Sequence, residues 1–384
     1  MGLAQLEAAR TLAPLLAAHS GEGERSRRLP REVVEALVAG GFFRMLVPSS
    51  LGGGESDPAT FVATVEELAR RDASAGWCIA ACATSGMVAA YIDEAAAQEV
   101  FGPGASVSGG VFAPRGTAYH ESATYLVTGR WAFASGIDHC DWLMGGCMVF
   151  ENGTRKMLGE GRPDIRLALF PASEVEVIDT WSVSGLRGTG SHDMQVHEIR
   201  VPADRTTSLL TDKPLERGPL YAFPIFGLLA LSIAGVALGI ARTALDDITE
   251  LAGGKTPTLS SRRLADRAAT QAGAARAEAA WRAARELLYA EIERGWAQAR
   301  RSGGVSVPER AALRLAATHA TTTSADVVDM AYGLGGGTSI YETSPLQRHF
   351  RDVHAATQHM LVGPQTWELT GRLLLGLPTE AEQL

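Results

Sequence analysis

The chain contains 384 residues, of which 46% are hydrophobic and 20% are charged. This length predicts two or three packed units, and this balance of residue types excludes an intrinsically disordered chain. The net charge of -8 leaves no broad basic field to attract phosphate backbones, so nucleic acid is disfavoured as a partner.

The first part of the chain predicts an α-helical domain, which we place at residues 1–104. Apolar residues recur there at three- and four-residue spacing, and the Asp57–Pro58 pair is a helix-start signal. No basic segment precedes an apolar core, so we expect no signal peptide. Cys78 and Cys82 are expected to pack as small hydrophobes. Because the cysteines form no CxxC pair and have no metal-ligand spacing, they predict a reduced, cytoplasmic protein without a metal.

Residues 105–215 predict a β-domain. Runs such as ATYLVTGRWAFAS and HDMQVHEIRVP alternate or are apolar throughout, and they are broken by Gly, Pro, Asn and Asp. That pattern is typical of an antiparallel sheet. Since these strands do not alternate with helices, a doubly wound nucleotide-binding fold is disfavoured. The glycine-rich GLGGGT at 333–338 is not GxGxxG, and it follows a predicted helix rather than a strand.

Residues 216–384 predict a second helical domain, in which segments at 252–258 and 301–308 separate three long helices. The stretch AFPIFGLLALSIAGVALGIA at 222–241 has no charged residue and is long enough to cross a membrane. It contains Pro224 and continues into an amphipathic sequence, which favours a buried core helix instead. We therefore expect no membrane association.

The stretch RDVHAATQHMLVGPQTWE at 351–368 resembles the start of an apolar helix and contains two histidines, His354 and His359. A catalytic base in a pocket and histidines satisfied by packing are both open interpretations. On a helix the two side chains would face different directions. His349, just before this stretch, is expected to lie on a solvated turn.

Four stretches in chain order resemble the acyl-CoA dehydrogenase superfamily: VPSSLGGGESD, GRWAFASGIDHCDWLMGGCMV, WSVSGLRGTGSHDMQVHEIRVP and SIYETSPLQRHFRDVHAATQH. The resemblance covers nearly the whole chain. It implies an α+β multidomain fold with an N-terminal helical domain, a middle antiparallel β-domain and a C-terminal four-helix bundle. It also implies a homotetramer with a flavin between the β-domain and the bundle. Dehydrogenases and oxygenases share this fold, so the chemistry depends on residues near the flavin.

A dehydrogenase of this superfamily needs a carboxylate base to remove a proton alpha to a thioester carbonyl. Many supply a glutamate shortly after an Arg–Asp pair, and the matching position here is Met360 in the acid-free segment QHMLVGP. Others place the base on an earlier helix, near which this chain has Asp246, Asp247 and Glu250. An FAD-dependent acyl-CoA dehydrogenase is therefore the alternative function, and a non-catalytic flavin-binding member is a second alternative.

TQH at 357–359 and the serine of GRWAFASG resemble the oxygenase components of two-component flavin-dependent monooxygenases. These relatives receive reduced FMN or FAD from a separate flavin reductase. The reaction of this reduced flavin with dioxygen gives a C4a-hydroperoxide that hydroxylates a small molecule. Here the expected substrate is aromatic, polycyclic or another natural product. The resemblance implies catalytic roles for His359 and Ser135. A hydroxyl near flavin N5 would hold a proton there, and an imidazole titrates near working pH.

The resemblance also implies a set of flavin contacts. Phe133 and Trp131 alternate with Ser135; core packing is the more usual role of such aromatics, and a contact of one of them with the isoalloxazine is the open alternative. The glycines around Arg187 let backbone approach a ligand, with a structural turn as the open alternative. Arg263 corresponds to an arginine that holds the flavin pyrophosphate of a neighbouring subunit, with a solvated helix start as the alternative. The implied set is Phe133, Ser135, Gly136, Arg187, Thr189, Arg263, Gly335 and Gly336.

Candidate substrate contacts are Trp77, Ser85, Ser191 and Met360. Trp77 matches a tryptophan that is frequent in the oxygenase branch, although packing within its helix explains it equally well. Several phenol-hydroxylating relatives carry a histidine later in that helix, where this chain has Thr84 and Ser85. A base expected for phenol activation is therefore absent, which weakens a phenol substrate and leaves N-hydroxylation open.

Overall fold

The computed structural model describes residues 2–103, 107–159, 161–381 and 384. It begins with a set of helices: α1 (Gly2–Thr11), α2 (Ala13–Ser26), α3 (Arg31–Ala39), α4 (Pro58–Ala69), α5 (Ala73–Ser85) and α6 (Glu94–Phe101). The predicted domain boundary between residues 104 and 105 falls outside the described residues. The boundary at 215–216 stays a prediction.

A sheet follows the N-terminal helices. Its strands are β1 (Ser108–Glu121), β2 (Thr124–Trp131), β3 (Trp142–Glu151), β4 (Thr154–Arg155), β7 (Ile165–Pro171), β8 (Glu176–Ile178), β9 (Asp193–Pro202) and β10 (Thr206–Thr207). The order across the sheet is β10-β7-β3-β1-β2-β9-β8, with β4 paired to β3. Strands β5 (Met157–Leu158) and β6 (Arg162–Pro163) form a separate pair.

The sheet is mixed, whereas the sequence predicted antiparallel pairing throughout. Strands β1 and β3 run parallel, and the other described pairs are antiparallel. The reason is the connection after β2. Residues 132–141 cross over β1 to reach its far edge, so β3 runs in the same direction as β1. A tight hairpin would have placed β3 beside β2.

Trp131 fills the centre of the sheet. A Cβ atom built on Gly116, Gly129 or Gly145 would lie 2.4–2.5 Å from its ring. Its indole N–H donates to the carbonyl of Gly146 at 2.8 Å, and the side chain is fully buried. Three strands therefore need glycine where this one large side chain lies, and the end of β2 is firmly anchored.

The C-terminal region contains three long helices, α7 (Ile225–Gly254), α8 (Ala268–Ser302) and α9 (Val307–Gly335), followed by α10 (Pro345–Ala356) and α11 (Gln365–Leu374). The predicted separation of three long helices is confirmed. Two stretches, Ala73–Tyr91 and Ile225–Gly254, are long and apolar enough to cross a membrane, but 89% and 83% of their apolar windows are buried. They serve as core helices, and a cytoplasmic location stays a prediction.

The position of helix α5 is fixed by an N-cap and by close packing against its neighbours. Asp72 caps its first turn, because the carboxylate accepts a hydrogen bond from the Ser74 N–H at 2.9 Å. Gly76 lets α5 approach α4 closely, since a Cβ there would lie 2.6 Å from the Ala69 Cβ. Gly239 does the same for α7, whose added Cβ would lie 2.5 Å from the Glu66 carbonyl. Trp77, next to Gly76, thereby gains a defined position.

Candidate active site

The segment that crosses the sheet carries Ser135. The backbone of this segment pairs with a second loop: Gly136 N–H donates to the Thr189 carbonyl at 2.8 Å, and Ala134 N–H donates to the His192 carbonyl at 3.0 Å. Gly136 has φ +71, a conformation that favours glycine. The two loops therefore bring Ser135, Thr189 and Ser191 together, although they lie far apart in the sequence.

Buried hydroxyls form a continuous chain at this junction. The indole N–H of Trp77 donates to the Ser135 Oγ at 3.0 Å. Ser135 Oγ lies 2.8 Å from Ser191 Oγ, and Ser191 Oγ lies 2.7 Å from Thr189 Oγ1. Thr189 Oγ1 donates to the Leu186 carbonyl at 2.8 Å. All three hydroxyl-bearing residues are at most 9% exposed, so water competes little for these bonds.

His359 lies on the other side of Trp77. Their ring centroids are 5.9 Å apart in an edge arrangement. The prediction that His359 belongs to a helix is wrong, because α10 ends at Ala356 and α11 begins only at Gln365. His359 lies in the turn between these two helices. The Gly363–Pro364 pair ends this turn, directly before α11. The turn directs the half-buried imidazole toward Trp77.

The protonation state of His359 follows from its surroundings. Burial and the nearby positive charge of Arg314 lower the pKa of the imidazole to about 4, so the ring is neutral at pH 7. The Leu361 N–H donates to Nδ1 at 3.2 Å. A nitrogen that accepts this bond carries no hydrogen, so the ring proton is on Nε2. His359 therefore presents an N–H donor at its outer nitrogen.

The two neighbouring histidines have other partners. His354 Nε2 lies 2.9 Å from Asp329 on α9, away from Trp77. The prediction that His349 lies on a solvated turn is wrong: it is within α10, its side chain is only 16% exposed, and Nε2 lies 2.7 Å from Asp247. That contact occupies one of the acids that the dehydrogenase alternative would need. Asp246 is likewise engaged, by Arg242 at 2.9 Å.

Phe133 and its surroundings fit a planar flavin ring. The Phe133 side chain is 70% exposed and its backbone has φ +68, which is strained for a residue with a side chain. Its ring meets Trp181 edge-on at 6.2 Å. An exposed aromatic surface, held in place at a backbone cost two residues before Ser135, suits a flat aromatic ligand with polar edges.

A charged cluster lies behind these residues. Arg348 on α10 is 3.6 Å from Asp72, 3.6 Å from Asp352 and 3.4 Å from Glu24. Asp352 also accepts a hydrogen bond from the Leu186 N–H at 2.6 Å. Burial raises the pKa of Asp72 to about 6 and raises that of Asp352 as well. The cluster connects α5, α10 and the 184–192 loop.

The remaining predicted flavin contacts are not part of this junction. Arg187 uses its guanidinium to bond the backbone carbonyls of Glu24 and Val183 at 3.2 and 3.1 Å, which is a structural role. Arg263 is an exposed residue that pairs with Asp266 at 3.1 Å. Gly335 accepts a bond from Lys255 at 2.6 Å, and Lys255 in turn accepts one from Leu264 at 2.8 Å. Arg263, Gly335 and Gly336 thus belong to a second locality around Lys255.

The predicted substrate contacts divide into two groups. Trp77 and Ser191 lie within the hydroxyl chain, and Met360, next to His359, is 58% exposed. Ser85 is buried, and its hydroxyl bonds the Ala81 carbonyl at 3.4 Å within its own helix. Cys78 and Cys82 pack behind the junction as expected, the latter with its thiol 3.5 Å from the Ser135 carbonyl. Among the described residues, no group of His, Cys, Asp or Glu could hold a metal ion.

Several residues at the site were missed from the sequence. Trp181 and Arg314 reach Phe133 and His359 from distant segments, so no local pattern indicates them. The cluster residues did leave a signal. Asp72 precedes Ala73–Ser74 as an N-cap would, and Arg348 and Asp352 have the four-residue spacing of a helical ion pair.

The comparisons with known proteins agree with this architecture. The acyl-CoA dehydrogenase N-terminal domain model matches residues 4–102, and the C-terminal domain model matches residues 231–364. The indole-3-acetate monooxygenase of Pseudomonas putida is 35% identical over 361 residues, covering 94% of this chain and 90% of that protein. The flavin-dependent monooxygenase oxygenase subunit HsaA of Rhodococcus jostii is 30% identical and covers 96% and 97%.

A solved structure gives the same result. XiaF from Streptomyces, in complex with FADH2 and glycerol, superposes with a TM-score of 0.89 at 27% identity, covering 98% of this chain and 96% of that one. The chain therefore belongs to the acyl-CoA dehydrogenase superfamily, with its helical, β-sheet and helical regions. Within it, the chain is the oxygenase component of a flavin-dependent monooxygenase that uses reduced flavin and dioxygen.

Proposed function

We propose that Ser135 and His359 are the catalytic residues of this monooxygenase and that Trp77 sets the distance between them. The observation that carries this assignment is the position of Trp77. Its indole N–H bonds Ser135 Oγ at 3.0 Å while the ring meets His359 at 5.9 Å. A flavin edge at Ser135 and a substrate at His359 would therefore lie next to one another.

Bound reduced flavin supplies the electrons and activates dioxygen. The residues of this chain that would hold its ring are Phe133 at the face, and Ser135 with the Gly136 backbone at the edge. Arg263, Gly335 and Gly336, near Lys255, are proposed to contact the distal part of a flavin bound by a neighbouring copy. The Nε2–H of His359 donates a hydrogen bond toward the reacting oxygen, and the neutral ring adds no charge to a closed pocket.

We propose an aromatic substrate. Trp77 meets His359, and the exposed Phe133 meets Trp181, so aromatic side chains accompany both ends of the proposed site and suit another flat ring. The relative from Pseudomonas putida is named for indole-3-acetate, so this compound is the first probe to use. No histidine occupies the part of α5 after Trp77, and Thr84 bonds the Ala80 carbonyl at 2.6 Å, which disfavours a phenol.

Two further components complete the proposal. A flavin reductase would supply the reduced flavin, as the naming of relatives as oxygenase subunits indicates. A homotetramer would cover the apolar end of α11, where Leu374 and Leu375 are 75% and 78% exposed. Light scattering on the purified protein measures this assembly state directly.

Rapid mixing tests the catalytic assignment. Protein with anaerobically reduced FMN, and separately FAD, is mixed with oxygenated buffer while flavin absorbance and hydrogen peroxide are followed. We expect reoxidation to differ from that of free flavin, and Ser135→Ala or His359→Ala to shift it toward free-flavin behaviour with more peroxide released. His354→Ala is the matched control and should behave as the parent protein. Reoxidation indistinguishable from free flavin would reject the assignment.

A further inference from the structure

The hydroxyl chain has a direction that its contacts determine. The Leu186 carbonyl can only accept, so the hydrogen in its 2.8 Å contact belongs to Thr189. Thr189 then has no hydrogen left for Ser191, which must donate across their 2.7 Å contact. Ser191 is thereby used as well, so Ser135 donates across the 2.8 Å contact to Ser191. Three hydroxyl hydrogens serve three contacts in one arrangement only.

This direction leaves Ser135 as an acceptor. Its hydrogen points to Ser191, one lone pair receives the Trp77 N–H, and one lone pair remains for a ligand. Flavin N5 carries a hydrogen when the ring is reduced and only a lone pair when it is oxidised. A reduced ring therefore offers Ser135 a matching donor, whereas an oxidised ring sets two acceptors against each other.

We propose that Thr189 and Ser191 are positioning residues that hold Ser135 as an acceptor and so make the site select reduced over oxidised flavin. The proposal rests on the function proposed above, in which flavin N5 lies at Ser135. It assigns a role that acts through Ser135 to Thr189, which the sequence predicted as a flavin contact, and to Ser191, which it predicted as a substrate contact. Selection of this kind would release spent flavin to the reductase and admit the reduced form.

Reversing the chain would be costly at one particular place. For Ser135 to donate to oxidised N5, Ser191 must donate to Ser135 and Thr189 to Ser191. The 2.8 Å contact between Thr189 Oγ1 and the Leu186 carbonyl would then set two oxygen lone pairs against each other without a hydrogen between them. The carbonyl itself would keep the Thr189 N–H and the Trp181 indole N–H, both at 3.2 Å, so the cost lies in this one contact. Thr189 and Ser191 are 1% and 2% exposed, so water has little access to repair it. An unmade buried hydrogen bond of this kind corresponds to a change of roughly tenfold or more in affinity.

Equilibrium binding tests the proposal without turnover. Dissociation constants for oxidised and anaerobically reduced FMN and FAD are measured by fluorescence or calorimetry for the parent, Thr189→Val, Thr189→Ser and Ser191→Ala proteins. We expect the parent to prefer reduced flavin. Thr189→Val and Ser191→Ala should gain roughly tenfold in affinity for oxidised flavin and change little for reduced flavin. Thr189→Ser keeps the hydroxyl and should retain the parent ratio.

The reduction potential of the bound flavin gives an independent reading of the same effect. A tenfold change in the affinity ratio corresponds to about 30 mV for a two-electron couple, so the potential should fall by about that amount in Thr189→Val. Thermal unfolding of the flavin-free variants separates this effect from lost stability. A purely structural Thr189 would weaken both flavin forms equally and leave the potential unchanged.

Ser135→Ala distinguishes the two ways of failing. If it changes neither affinity, then flavin N5 does not lie at Ser135, and the catalytic assignment falls together with the proposal. If Ser135→Ala changes the ratio while Thr189→Val and Ser191→Ala both keep the parent ratio, only the role of the hydroxyl chain is rejected. A shift in both variants, absent in Thr189→Ser, establishes it.

Discussion

Two polar regions border the same helix and the same loop, and they use different physics. The hydroxyl chain joins Trp77 on α5 to Leu186 through neutral groups with contacts of 2.7–3.0 Å. In the cluster, Arg348 lies 3.6 Å from both Asp72, the N-cap of α5, and Asp352, which accepts a hydrogen bond from the Leu186 N–H at 2.6 Å. Attraction between charges depends on distance, whereas each hydrogen bond between two hydroxyls also has one donor and one acceptor. The charged region fixes position, and the neutral region fixes direction.

The two regions meet at one residue. The Leu186 N–H donates to Asp352 of the charged cluster, and the Leu186 carbonyl accepts from Thr189 of the neutral chain. Leu186 has φ +52, an unusual conformation for a leucine that the surrounding contacts maintain. The charged cluster therefore holds the carbonyl from which the direction of the hydroxyl chain follows.

The largest expected effect comes from breaking the charged region. Arg348→Met leaves Asp72 and Asp352 buried without their shared cation, and we expect a loss of about 3–5 kcal/mol in the free energy of unfolding. Urea denaturation measures it. The control is Arg282→Met, whose side chain is 71% exposed beside Glu278 and should cost less than about 1 kcal/mol. Equal losses in the two variants would contradict a fixing role for Arg348.

A second prediction concerns the neutral imidazole of His359, which is expected to donate a hydrogen bond rather than remove a proton. His359→Ala should lower product formed per reduced flavin by about 100-fold. His359→Gln offers an amide N–H near the position of Nε2 and should lose much less. The measurement is hydroxylated product from indole-3-acetate, with His354→Gln as control. Equal loss in Gln and Ala would contradict the donor role.

The smallest expected effect is a pH dependence of stability that comes from the charged cluster and not from the neutral hydroxyl chain. Asp72 has a pKa of about 6 in the folded protein, against 3.8 in the unfolded chain, so the folded state binds more protons between these values. Stability contributed by Asp72 should therefore rise by about 1 kcal/mol from pH 7 to pH 5, relative to Asp72→Asn. Denaturation curves at both pH values measure the difference.

Local signals were sufficient for much of the fold. The uncharged stretch at 222–241 predicted a buried helix, and α7 is one, because a helix apolar all round has to be covered. The broken apolar runs predicted strands where β1, β2, β3, β7, β8 and β9 lie. The parallel pairing of β1 with β3 was missed, since it depends on a connection that crosses the sheet rather than on the composition of either strand.

The site was predictable in its parts but not in its arrangement. Ser135 and His359 were recognised from short motifs, and the placement of Trp77 between them was not. The predicted environment of His349 was wrong because its partner, Asp247, lies 102 positions away in the sequence. The Gly363–Pro364 pair did signal a helix boundary before α11, but it did not indicate that α10 ends before His359. Contacts between distant segments determine the protonation of His359 and the hydrogen-bond direction in the hydroxyl chain, and no local sequence pattern indicates such contacts.

The segment 132–141 also has a consequence for how the molecule assembles. Strand β3 reaches its place beside β1 only when this connection has passed over the sheet, so the pairing has to wait for a non-local loop closure. The chain therefore completes its sheet and sets its serine in a single folding event, and amides of β3 and of this segment should become protected from hydrogen exchange at the same rate during refolding.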